Sequence, residues 1–74
     1  MTYIYEVEEI NYVPVHTDRK TTLFANYGDA VEFFNSLIEE YDTTKCTLDV
    51  NYFNYYDDDT WNEYTIRINK RELN

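Results

Sequence analysis

Seventy-four residues allow one domain spanning 1–74 with a thin core, because a chain this short buries only about 60–65% of the surface its unfolded form exposes. Hydrophobic residues make up 43% and aromatics 19% of it, nine of them Tyr, which is too rich in core formers for a disordered chain. Fifteen Asp and Glu against six Lys and Arg give a net charge of −9, so direct binding to nucleic-acid phosphates or to anionic lipid is excluded as an expectation.

The first segment, Tyr3 to Ile10, alternates: Tyr3, Tyr5 and Val7 fall on one face, Glu6 and Glu8 on the other. Period two with aromatic and β-branched residues predicts a strand, with a continuation through Tyr12, Val13 and Val15 that Pro14 marks as bulged or edge. His16 to Lys20 reads as a polar turn, and Thr21 to Ala25 as the returning strand of a hairpin. Asn26 opens a helix, with its side chain placed to accept the amide of Asp29. Ala30, Phe33, Phe34, Leu37, Ile38 and Tyr41 then recur at three- and four-residue steps as a core stripe, and Asp29, Glu32, Ser36, Glu39 and Glu40 occupy the other side. Asp42 to Thr44 ends the helix. Cys46 to Tyr52 alternates again, with Cys46, Leu48, Val50 and Tyr52 inward, and Asn54 to Thr60 is a long polar connection. Trp61 to Ile68 is the last strand, burying Tyr64, Ile66 and Ile68. The expected architecture is α+β: a four-stranded antiparallel sheet with one helix packed on one face, in the order β-β-α-β-β.

Chemistry is scarce. Cys46 and His16 are the one nucleophile–base combination, and no third group orients the base, so no catalytic residue is assigned and an enzyme is not expected. The run Asp57-Asp58-Asp59 lacks the glycine and the terminal Glu of a calcium loop, zinc has two soft ligands with no paired spacing, and the sole glycine, Gly28, makes no phosphate loop. No metal and no cofactor are expected. One cysteine permits no internal disulfide, no apolar run is long enough to span a bilayer, and the Met1–Glu6 start lacks the basic and small-residue features of a signal peptide. A cytoplasmic location follows as an expectation.

Charge is therefore the functional candidate. Residues 21–66 hold ten acids and one base, Lys45. On a body with an expected radius of gyration of about 11 Å, rows of carboxylates on stiff elements can occupy a groove built for a phosphate backbone. Glu6 and Glu8 would project about 6.7 Å apart from one strand face, joined by Asp49, Glu63 and the Asp57–Asp59 run. Phe53, Tyr55 and Tyr56 beside that run would supply aromatic anchors, with Tyr12 and Trp61 as weaker ones.

In size, acidity, Tyr- and Asn-rich style and the Asp57–Asp59 cluster, the chain resembles small acidic accessory proteins of bacteriophages and mobile elements: anti-CRISPR proteins, restriction inhibitors and uracil-DNA glycosylase inhibitors, several of them DNA mimics. The resemblance implies a stoichiometric inhibitor in the host cytoplasm that blocks a basic groove on a defence or DNA-processing enzyme. Its partner-binding residues would be Glu6, Glu8, Asp49, Phe53, Tyr55, Tyr56, Asp57, Asp58, Asp59 and Glu63. The alternative is a small homodimeric interaction module.

Overall fold

The computed structural model describes residues 2–14, 16–41 and 46–73. The elements are β1 (Thr2–Val13), β2 (His16–Phe24), α1 (Tyr27–Ile38), β3 (Cys46–Asp49), β4 (Tyr52–Asp57) and β5 (Asn62–Leu73). All five strands form one antiparallel sheet in the order β2-β1-β5-β4-β3. The expected four-stranded sheet is thus corrected to five, and the order to β-β-α-β-β-β.

Two boundaries differ from the expectation, and the second of them adds the fifth strand. His16 to Lys20 belongs to strand β2, which runs antiparallel to β1 and pairs Val13 with His16 and Tyr12 with Thr17. As an edge strand it presents polar residues on both faces, so it carries no alternation to read. The segment expected as one strand, Cys46 to Tyr52, breaks at Val50–Asn51 into a turn, and Tyr52, its expected last residue, starts a new strand, β4, that runs on to Asp57 through the first part of the supposed connection. Val50 is therefore 73% exposed and not inward. Tyr52 pairs with Arg67 and points to the face opposite Phe53. The expected helix stop at Asp42–Thr44 and the strand position Val15 lie outside the described residues.

Helix α1 starts where expected, with Asn26 as the residue before its first turn, but that side chain caps no backbone amide. Its Nδ2 donates to Asp29 Oδ2 at 3.4 Å, and the Ala30 amide bonds the Asn26 carbonyl at 3.2 Å. The stripe behaves as its spacing demands: Ala30, Phe34 and Ile38 are buried, and Phe33, Leu37 and Tyr41 pack beside them. They meet Val7, Ile66, Ile68 and Phe53 from the sheet. The helix lies over β1, β2 and β5, so the opposite sheet face has no layer on it among the described residues. The result is a slab of 45 × 26 × 15 Å with a radius of gyration of 13.3 Å, more extended than a sphere of this length. No helix among the described residues is long and apolar enough to cross a membrane.

Candidate acidic interface

Strand pairing decides which acids can act together, because cross-strand partners share a face. On the uncovered face β1 presents Glu6 and Glu8, β2 Arg19 and β5 Glu63, Arg67 and Arg71. Arg71 Nε lies 3.1 Å from Glu6 Oε2, Arg19 Nε lies 3.7 Å from Glu8 Oε2, and Asn69 Nδ2 donates to Glu6 Oε1 at 3.3 Å. The Glu6 and Glu8 side chains keep only 12% and 17% of their exposure. The expectation that they project as unpaired phosphate substitutes is corrected: they are answered by arginines of their own chain. Glu63 lies between Tyr12 and Tyr56 in the register. Asp49 closes the β3–β4 turn, its Oδ1 accepting the Val50 amide at 2.8 Å.

Further acids stand on the helix and at the tip of the β4–β5 hairpin. In the tip, Asp57 Oδ1 accepts the Asp59 amide at 3.0 Å and the Asp57 carbonyl accepts the Trp61 amide at 2.7 Å. This local bonding, natural to Asp in turns, leaves the Asp58 and Asp59 side chains exposed. Trp61 has a φ of 62° and is 65% exposed. A concavity of about 460 Å³ is lined by Tyr55, Tyr56 and Asp57–Asp59.

The three aromatics expected as a joint anchor do not form one. Phe53 is fully buried and belongs to the core. Tyr55, on the same face, is half-buried with its ring 5.2 Å from Tyr41. Tyr56 is 50% exposed on the other face. Alternation along β4 separates Tyr55 from Tyr56 and sends Phe53 inward; the expectation treated the segment as a loop, where no such alternation applies.

Along α1, Asp29 and Glu32 are exposed, and Glu39 and Glu40 follow at its C-terminal end, with no base within the helix or its last turn. Tyr41 ties that end to the hairpin: its ring lies 5.6 Å from Tyr64 and 5.4 Å from Phe53 as well as against Tyr55. Burial, then the charge of Glu40, pushes the Tyr41 hydroxyl above its ordinary pKa. Burial and a hydrogen bond to Glu9 push Tyr64 further up. That bond is 2.7 Å from Tyr64 Oη to Glu9 Oε1, and Glu9 Oε2 is buried with no hydrogen-bond partner among the described residues. Glu9, Tyr41 and Tyr64 thus form the joint between helix and hairpin. Glu9 was missed as part of it, although it falls in phase with Tyr5 and Val7 on the helix side of β1.

His16 and Cys46 begin β2 and β3, the two opposite edges of the sheet, and His16 Nε2 instead contacts Asp18 at 2.7 Å. Among the described residues no group of three or more His, Cys, Asp or Glu is arranged to hold a metal. No family model, no curated protein and no solved structure matches this chain.

Proposed function

We propose that this protein is a stoichiometric inhibitor that binds a protein partner by presenting carboxylates in place of nucleic-acid phosphates to a basic groove, of the kind found on host defence or DNA-processing enzymes. One observation carries the reading: charge is sorted. The described acids of α1 and the hairpin tip have no base beside them in their own elements, while all three arginines stand on the uncovered sheet face. Asp29, Glu32, Glu39 and Glu40, together with Asp58 and Asp59, are the contact carboxylates in this proposal. Glu39 and Glu40 lie where the helix dipole disfavours anions, so helix stability does not account for them.

The test is capture of a partner from a bacterial lysate on the immobilised chain, followed by elution with duplex DNA or with stepped salt. A true partner leaves the column with DNA as competitor and weakens steeply with salt. It is not retained by a chain carrying Glu39→Lys, Glu40→Lys, Asp58→Lys and Asp59→Lys. Retention that ignores both DNA and these charge reversals sinks the proposal.

A further inference from the structure

We infer that the sheet face opposite α1 is a self-association surface, and that a second copy of this chain is its occupant. The inference does not rest on the inhibitor reading, because the acids of α1 point away from this face.

Charge selects the occupant. Two copies carrying −9 each repel through most of their surface. On the uncovered face, however, three arginines (Arg19, Arg67, Arg71) stand among four acids (Glu6, Glu8, Asp49, Glu63), with Glu6 paired to Arg71 and Glu8 to Arg19, so this face carries about one net negative charge of the nine. Composition points the same way. Arg and Tyr are enriched at protein interfaces while Lys, Glu and Asp are depleted, so the arginines and tyrosines of this face favour association and its acids require the pairing described. This face carries all three arginines, with Arg67 5.9 Å over the Tyr52 ring, whereas Lys20 and Lys70 pair into the helix-side rows. Its exposed apolar groups lie towards both ends: Tyr12 and Tyr56 near the hairpin tips, Leu23 and Leu73 beyond the middle. The slab is 45 × 26 Å across, and about two-thirds of that rectangle supplies the roughly 800 Å² per partner of a standard interface.

The sign of charge along β5 also fixes the orientation. Glu63 marks the end near the Asp57–Asp59 tip, and Arg71 the end beside Ile4. A two-fold axis running across the strands lays each β5 over its copy in the opposite direction, so that Glu63 of one chain meets Arg71 of the other, and the reverse. The same operation sets Tyr12 over Ile4 and brings Arg67 and Glu8 each against its own copy at the axis, where the adjacent cross-strand Glu8 and Arg67 of the two chains offset one another. A parallel arrangement would stack Glu63 and the acidic tips on themselves. In the antiparallel dimer both helices face outward.

Sedimentation equilibrium of the full chain tests this, from about 1 µM to about 500 µM, since a dimer responds to concentration by mass action. The expected result is a dimer that dissociates on dilution. E63R and R71E are each expected to weaken it by about tenfold or more, and the double variant E63R/R71E to restore the affinity to within about threefold. E63R leaves the internal Glu6–Arg71 pair intact, and a thermal melt of each variant separates lost association from lost folding. A monomer across the whole range overturns the inference. So does a dimer indifferent to both charge swaps, which would place the contact elsewhere, such as the β2 edge. Neither result bears on partner capture by the helix acids.

Discussion

Trp61 is the residue at which local geometry and side-chain type disagree most. Left-handed backbone costs a non-glycine residue about 1–2 kcal/mol, and an indole left in water gains nothing from the core. Trp61→Gly is therefore expected to stabilise the fold by about 1 kcal/mol, or about 4–8 °C in Tm for a domain of this size. A melting curve checks it, and a lower Tm would mean that the indole makes contacts worth more than the strain. Phe53 is the opposite case, fully enclosed and touching Tyr41 and Tyr64. Phe53→Ala should cost about 3–5 kcal/mol, enough to unfold a domain of this size under ordinary conditions. Tyr41 and Tyr64 give the fold a sensitivity to alkali. Their hydroxyls titrate higher when folded than the ordinary value of 10.0. Their contribution is then complete below pH 10 and is lost as pH rises above it, because the unfolded chain gives up those protons first. Denaturant midpoints measured across the alkaline range should fall, and Tyr64→Phe should make the fall shallower.

At the level of the element, α1 has its charges arranged against its own dipole at one end. Asp29 in the first turn is favourable; Glu39 and Glu40 at the last are not. Glu40→Lys is expected to raise stability by about 0.3–1 kcal/mol while lowering affinity for a cationic partner, and that opposition separates a functional acid from an incidental one. Helix α1 was also the most legible element, since its six apolar positions share one period and Asn26 precedes them. The first strand was legible for the same reason in period two. Strand β2 was not, because an edge strand with Asp18, Arg19 and Lys20 in its middle has no buried face to impose a pattern. The β3–β4 turn was hidden by Val50, an apolar residue in phase with Leu48 and standing where Gly or Asn would have signalled a reversal. From that one missed turn followed the wrong strand count, the placement of Phe53 at the surface and the pairing of Tyr55 with Tyr56. The fate of Glu6 and Glu8 was illegible for another reason. Arg71 faces Glu6 through a register between strands more than sixty residues apart in sequence, and Arg19 faces Glu8 through the unread edge strand β2.

Across the whole molecule, the net charge of −9 makes salt act in two directions. Screening relieves self-repulsion and is expected to raise Tm between about 10 mM and about 150 mM salt, as the Debye length falls from about 30 Å to about 8 Å. The same salt weakens any contact with a basic groove. A calorimetric melt and a binding titration run in parallel would show the opposed slopes, and a Tm that fell with salt would indicate that attractive pairs such as Glu6–Arg71 outweigh the repulsion. The strand order carries a last consequence, for kinetics. The middle position of the sheet belongs to β5, the last strand in sequence, with β2–β1 on one side and β4–β3 on the other. Each flanking hairpin closes a short loop, but neither can join the other until β5 slides between them, and its union with β1 spans almost the entire length. Such a sheet assembles slowly for its size, and until then two half-built ribbons stand with bare backbone edges, the state in which this protein is most exposed to misassembly.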